Sequence, residues 1–510
     1  MKTAYLGLDC GTTSVKCIAV DKCGRQLHCA SRVHPSISVN PGWLEQEPDS
    51  WIEPTLQVLQ ECAERLTDYS VAAIGFSGHM SSPVFLDRDN RPVYNCMTVG
   101  DARCEREAEV LSECFLDDFR NASGNKPMAC FVAAKLLWFM RNEPEKYRET
   151  VKFVFAKDYI RYVLTGVLNT DLTDAGNVLL YDYKNGCWDD ALIRQLGLHR
   201  EIFPDVVSSL AQAGTLRKEI ACRCSLPEGV AVFCGAADMA CSQIGTASFD
   251  RGVLALTLST SGQICTYVDE PNPQGYGKVT FHPGVIPGTM YTMASVFSGG
   301  LALNWCYELL SGKKELSGED FADMQRLSAE SVQYMPGKSG TVFLPFLSGS
   351  GSPYFDSGDR SAFFGLSTAT NRAALFAAVV EGVCLHIYEN VHLFGEMGYE
   401  IRQVHLSGGG SRNPYWVQTL SDVLGMEIQV LDCPDASSIG AAYLALNASE
   451  GIDLRELSAR NVTVKQIVHP NMENHAKYEE LYGIFERFYS SVCSLKREMT
   501  CFMEENDRYE

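Results

Sequence analysis

Two segments about 250 residues apart repeat one pattern, and that repeat limits the possible folds more than any other feature of the chain. Near the start an apolar run, Ala4 to Leu8, leads into Asp9-Cys10-Gly11-Thr12-Thr13-Ser14 and then into a run in which Val15, Cys17 and Ala19 alternate. In the second half, Gly252-Val253-Leu254-Ala255-Leu256-Thr257-Leu258 leads into Ser259-Thr260-Ser261-Gly262 and on through Gln263-Ile264. Each reads as a buried strand, a hydroxyl-rich turn and a second strand. A P-loop would need Gly-Lys-Ser/Thr and a helix after its turn, and a dinucleotide fingerprint would need GxGxxG opening a helix; neither motif is here. The turn offers backbone N–H groups and hydroxyls to phosphate oxygens, and Asp9 can hold a hydrated Mg²⁺ beside them. Two such hairpins predict two similarly folded halves facing one cleft, with the boundary near Ala247–Arg251.

At 510 residues the chain has room for about two large domains. Strand-like runs at Ala4–Leu8, Val15–Val20, Val71–Phe76, Val84–Leu86 and Val230–Cys234 alternate with helix-like runs at Pro48–Leu66, Cys130–Arg141 and Leu192–Leu198. That alternation is the mark of an α/β fold. The net charge of −20 argues against nucleic acid or an anionic membrane as the main partner. It leaves an anionic nucleotide open, because backbone amides, helix ends and Mg²⁺ set the local field. The most apolar window, Gly229 to Phe249, carries Asp238 near its middle and reads as a buried strand and a following helix, not a membrane span. Met1-Lys2-Thr3 leads directly into a strand with no secretory signal, and none of the 20 Cys form pairs at zinc spacing. A cytoplasmic protein with reduced thiols is expected.

Asp238 is the first candidate for chemistry. It follows an apolar strand and the turn Gly235-Ala236-Ala237, a place where a plain helix cap is the common alternative. A carboxylate in such a setting is partly desolvated, which raises its proton affinity as a general base requires. Ser407-Gly408-Gly409-Gly410-Ser411-Arg412-Asn413-Pro414 follows the strand Val404–Leu406 and precedes an amphipathic helix. Three glycines let backbone lie against a ligand, and the helix start is expected to offer free N–H groups to a nucleotide. Ser437-Ser438-Ile439-Gly440-Ala441-Ala442 reads as a small-residue helix built for close packing. Ser77-Gly78-His79-Met80-Ser81-Ser82 sits at a strand end where substrate would bind, His79 being a locally hydrogen-bonded residue more than a metal ligand. Asp101 and Arg103 follow Gly100, and a carboxylate with a guanidinium suits a polyol, whose hydroxyls donate and accept.

Taken together, these motifs resemble the FGGY carbohydrate kinase family over nearly the whole chain, most closely its xylulokinase branch. Asp9 to Thr13 is similar to the first phosphate motif of the wider actin, Hsp70 and sugar kinase superfamily. One family signature is partly matched by Lys135-Leu136-Leu137-Trp138-Phe139-Met140-Arg141-Asn142, and the other by Ser361 to Leu366 through Ala378 to Gly382. Gly42 to Pro48, Ala156-Lys157-Asp158-Tyr159 and Phe343 to Gly349 also look like family segments.

The resemblance implies an α/β protein of two actin-like, ribonuclease H-like domains with a cleft between them. Residues 1–248 would carry the sugar side, the first phosphate loop and the catalytic Asp. Residues 249–490 would carry the second phosphate loop and the adenosine side, with a charged tail at 491–510. It implies ATP and Mg²⁺ as cofactors, a sugar or polyol substrate, and by family likeness a homodimer. Asp238 matches the catalytic base. Asp9, Gly11, Thr12 and Thr13 match the first phosphate loop, with Asp9 also as metal ligand, and Thr260, Ser261 and Gly262 match the second. Gly408, Gly409, Gly410 and Asn413 match the adenosine side. His79, Met80 and Ser81 fall where a ketose is contacted, and Asp101 and Arg103 in a neighbouring substrate loop.

The departures lie around the sugar. Xylulokinases typically read Gln-Met-His-Gly where this chain has His79-Met80-Ser81-Ser82, and Trp-Asn-Asp-Gly-Arg where it has Val99-Gly100-Asp101-Ala102-Arg103. They carry Gly-Glu-Arg before Ser/Thr-Pro where it has Gly349-Ser350-Gly351-Ser352-Pro353. These changes alter pocket volume and hydrogen-bond partners, and buried polar groups left unpaired reject poor acceptors. A ketopentose such as D-xylulose is the expected acceptor. Ribulose, a deoxy sugar, an alditol, gluconate or a signalling polyol are the alternatives, as is an inactive nucleotide-switched sugar-binding regulator.

Overall fold

The computed structural model describes residues 1–507 apart from positions 39, 41, 314 and 315. Its first half is built on a seven-stranded sheet of β1 (Lys2–Cys10), β2 (Ser14–Asp21), β3 (Gln26–Val33), β4 (Tyr69–Gly78), β5 (Gln212–Thr215), β6 (Ala231–Phe233) and the two-residue β7 (Ala236–Ala237). A second seven-stranded sheet holds β8 (Val253–Leu258), β9 (Gly262–Val268), β10 (Thr280–Pro283), β11 (Met290–Val296), β12 (Gln403–Ser407), β13 (Ile428–Leu431) and β14 (Val464–Val468). The repeat seen in the sequence is a repeat of topology. β1 pairs antiparallel with β2 and parallel with β4; β8 pairs antiparallel with β9 and parallel with β12. Each half thus sets a tight turn between an antiparallel pair whose first strand also has a parallel neighbour.

The helices that matter to the site are α1 (Ile52–Arg65), α2 (Val132–Asn142), α3 (Ala156–Thr165), α4 (Leu172–Gly176), α5 (Asp238–Gly245), α6 (Gly300–Ser311), α7 (Arg372–Glu396), α8 (Pro414–Leu424), α9 (Ala436–Glu450) and α10 (Met472–Asp507). Expected helix positions hold with shifts at the ends. The run from Pro48 opens as a 3-10 turn before α1. The run expected at Leu192–Leu198 is helical over Asp190–Gln195, because Asp189 caps it, accepting from the Ala191 and Leu192 amides, and Gly197 turns left-handed just beyond its end. α7 is apolar enough to cross a membrane, yet its apolar stretch is 83% buried as the core helix of the second half. Of the tail at 491–510, residues to 507 continue α10, and 508–510 lie outside the described residues.

α9 belongs to the second half of the chain but packs on the first sheet. Glycines permit this. A Cβ on Gly7 would stand 2.0 Å from the Ser438 carbonyl oxygen, and one on Gly75 would stand 2.1 Å from that of Ala441. α9 also crosses α5 at Gly440, where a Cβ would meet the Cys241 carbonyl oxygen at 1.9 Å. One apolar core therefore joins Tyr5, Ile18 and Ala73 to Ala441, Leu444 and Tyr291.

Candidate active site

Both hairpin turns are anchored from behind in the same way. At the first, the Gly11 carbonyl lies 2.9 Å from His34 Nε2, the Gln46 side-chain amide donates to the Thr12 carbonyl at 2.6 Å, and the His34 amide donates to that of Thr13 at 3.1 Å. At the second, the Gly300 and Leu301 amides at the start of α6 donate to the carbonyls of Ser259 and Thr260 at 2.8 and 3.0 Å. Carbonyl oxygens repel an anion, and these are engaged by the protein. The side chains of Thr12, Thr13, Ser259 and Thr260 stay exposed. Each turn therefore presents hydroxyls without competing carbonyls, which suits phosphate. The sequence reading overlooked Gly299-Gly300. A side chain on Gly300 would stand 2.6 Å from the Ser259 carbonyl, and a glycine pair opening a helix was the available signal.

Strand register brings the two carboxylates to one level. Asp9 is paired with Ser77 across β1 and β4, and Ala236 and Ala237 pair with Ser77 and Gly78, so Asp238 follows at the same sheet end. Asp238 opens α5 with its Oδ1 accepting from the Met239 amide at 2.7 Å. It is half-buried. Burial first, then the neighbouring Asp9 charge, push its carboxyl up to about 7. Burial also raises Asp9, against the Ser77 and Ser437 hydroxyls and Lys16. Ser437 donates to Asp9 Oδ2 at 2.7 Å, while the buried Oδ1 has no hydrogen-bond partner. Ser437, read from sequence as packing, thus touches a site carboxylate.

A cavity of about 160 Å³ lies between the halves one turn along α5 from Asp238, lined by Ser242, Gln243, Thr257, Ser407, Gly408 and Ser437 among others. A wider hollow of about 550 Å³ beside Arg32, Glu61 and Arg65 contains none of the candidate residues. The glycine run adjoins the small cavity. Gly408 has φ +91°, and a Cβ there would stand 2.3 Å from the Leu258 carbonyl; one on Gly410 would strike the Trp416 ring at 2.6 Å. Gly409 faces open space. The free helix N–H groups expected here are not all free. Asn413 caps α8, accepting from the Tyr415 and Trp416 amides at 3.1 and 3.3 Å, and donates to Ser328 at 2.9 Å.

At the segments expected to meet substrate, Lys135 ties two of them together. Its buried ammonium donates to the carbonyls of Ser81 at 2.6 Å and Thr98 at 2.7 Å. Ser81 is left-handed at φ +59°. His79 is packed edge-on against Trp51, with Nδ1 2.5 Å from Ser82 Oγ, and burial pushes its imidazole down to about 3. It is a neutral, locally bonded ring, as expected. Asp101 and Arg103 form a buried bidentate pair. Arg103 Nη2 and Nε meet Asp101 at 2.6 and 2.8 Å, Nη1 meets Glu45 at 2.6 Å, and the guanidinium lies over Trp43 at 3.9 Å. Their charges are spent on each other and on Glu45, a partner the sequence did not reveal.

The model for the N-terminal domain of the FGGY family of carbohydrate kinases matches residues 4–245, and that for the C-terminal domain matches 254–449. A xylulose kinase from Bacillus subtilis (strain 168) is 28% identical over 501 residues, covering 98% of this chain and 99% of its own. The solved structure of a xyloylose kinase from Brucella ovis aligns with TM-score 0.88 at 30% identity over 96% of this chain and 100% of its own. A gluconate kinase from Lactobacillus acidophilus shares the fold, with TM-score 0.90 at 22% identity over 98% of this chain and 100% of its own.

Proposed function

The chain belongs to the FGGY family of carbohydrate kinases and is a phosphotransferase acting on a sugar; from that premise we propose that it transfers the γ-phosphate of ATP to a hydroxyl of a sugar or polyol, a ketopentose such as D-xylulose, with Asp238 as general base. The observation that carries this reading is Asp238 itself, a carboxyl raised to about 7 at the same sheet end as Asp9. A group with that proton affinity takes a hydroxyl proton near neutral pH and holds it while the oxygen attacks phosphorus. The two anchored turns grip the phosphates, and closure of the halves excludes water. Gly409, with open space before it, suits the adenosine side.

Mg²⁺ fits the donors present. Among the described residues no cluster of three or more His, Cys, Asp or Glu side chains forms a metal site. Mg²⁺ in kinases is held by one or two carboxylates with phosphate oxygens and water, and the unpartnered Asp9 Oδ1 supplies one such donor. Bound there, the ion would neutralise charge on the transferring phosphate. The fold alone does not choose the acceptor, since a gluconate kinase shares it.

The test is ADP release from Mg·ATP across ketoses, alditols and sugar acids, with Asp238→Ala alongside. One acceptor raising turnover far above the no-sugar rate, and silent in the variant, supports the reading. Turnover indifferent to every acceptor favours a nucleotide-switched binding protein, and near-native turnover in the variant removes Asp238 as base.

A further inference from the structure

Behind β7 lies a buried polar cluster that none of the chemistry above uses. Lys157 Nζ meets Asp158 at 2.6 Å, Asp171 at 2.9 Å and Asp174 at 3.0 Å, and every one of these side chains is at most 1% exposed. Asp171 caps α4 and accepts at one oxygen from three donors: the Thr173 amide at 2.9 Å, the Thr173 hydroxyl at 2.6 Å and the Ser209 hydroxyl at 2.7 Å. The Ala237 amide donates to the Thr173 hydroxyl oxygen at 2.8 Å. Ala237 is the residue immediately before Asp238, and a Cβ on Gly78, its strand partner, would stand 2.8 Å from Lys157 Cβ.

The direction of each hydrogen bond is fixed. Burial would raise Asp171, but Lys157 and the two hydroxyl donors more than offset it and hold the carboxyl below its ordinary value. An ionised Asp171 can only accept, so Thr173 must spend its single proton there. Its remaining lone pairs then receive the Ala237 N–H. We propose that Thr173 is a positioning residue for Asp238: oriented by Asp171 and Lys157, its hydroxyl fixes the Ala237 peptide plane and so the direction in which the Asp238 carboxylate enters the cleft. The proposal rests on Asp238 being the proton acceptor. Thr173, Asp171 and Lys157 are buried and offer no surface to a ligand, so the relay acts on the chemical step and leaves ground-state binding alone.

Thr173→Val keeps the shape, leaves the Ala237 amide unpaired and frees the peptide to rotate. In steady-state assays with Mg·ATP and D-xylulose, or the best acceptor of the panel above, kcat should fall about 10- to 100-fold, the cost of a displaced reacting group. Both KM values should stay within about threefold of wild type, and Thr173→Ser, which restores the hydroxyl, should return kcat to within about threefold. Where Val does not fold, Thr173→Ala against Thr173→Ser reads the same contrast. Wild-type kcat in the variant lacking the hydroxyl, a loss confined to KM, or a Ser variant as impaired as that variant overturns the proposal. Asp238→Ala, run in parallel, separates the two levels. Retained turnover there removes the proton-acceptor reading itself, whereas a dead Asp238→Ala beside a fully active Thr173→Val removes only the relay.

Discussion

At the scale of single residues, the site is two carboxylates that disfavour each other's charge. Asp238 is raised to about 7 by burial and by Asp9, so it is largely protonated below that pH and cannot accept a proton. The kcat/KM profile for the acceptor should therefore climb with pH on an acid limb near 7, and kcat/KM unchanged between pH 5 and 8 removes the assignment. The same shift acts on stability with a definite sign. A carboxyl whose folded value is raised above its unfolded value of 3.8 loses stability as pH climbs from about 4 to 7, and that loss is complete above 7. Asp238→Asn removes the penalty, so its melting temperature should exceed wild type increasingly over that window and by a constant margin beyond it, while transfer is lost. Ser437 has the opposite influence on Asp9, since its hydroxyl favours the ionised form. In Ser437→Ala, Asp9 becomes harder to ionise. The Mg²⁺ needed for half-maximal rate should rise several-fold and fall back as pH is raised, with sugar KM little changed.

At the scale of elements, the glycines of β1, β4 and α9 show why some of this was legible in sequence and some was not. Strand existence was written in the apolar runs, and the hairpin repeat announced two sheets of like topology. Asp238 stood out because it interrupts an apolar window, and that setting is the burial that raises its carboxyl. What anchors the turns was hidden, since His34 and Gln46 reach the first from other segments and Gly300 reaches the second from across an intervening hairpin. Asn413 also has a local role, since an Asn before Pro caps the helix and its oxygen takes two of the amides expected to be free. Gly440 lay in a recognised small-residue helix, but its partner Cys241 is on a helix some 200 residues earlier, which no local pattern reveals. Gly440→Ala drives a Cβ to 1.9 Å from the Cys241 carbonyl and should cost about 1–3 kcal/mol in urea denaturation. Gly483→Ala is its control, mid-helix in α10 with nothing within 4 Å, and should gain about 0.5–1 kcal/mol.

At the scale of the whole molecule, the order of the chain and the order of packing part company. The family models divide the sequence between 245 and 254, yet α9, from residue 436 onward, covers the face of the first sheet at Gly7 and Gly75. Lys16 pairs with Asp435 at 2.9 Å, Tyr5 bonds to Glu450, and the Tyr443 hydroxyl donates to the Gly24 carbonyl, all between the N-terminal hairpins and the α9 region. Residues 1–248 alone would expose the apolar surface of Tyr5, Ile18 and Ala73 that α9 covers, and would lack the helix that lies across α5. A sheet stripped of one covering layer does not close a core. Expressed by itself, 1–248 should be insoluble or collapsed, with helix and strand signals in far-UV circular dichroism but no fixed aromatic signal in the near-UV. Co-expression with 249–510 should recover a soluble pair that restores the near-UV signal. The intact chain should unfold in urea as one transition by both circular dichroism and tryptophan fluorescence, because the shared core couples the halves. A monomeric 1–248 with its own sharp transition would show that the first sheet is closed without α9, and that the crossing helix serves only the cleft.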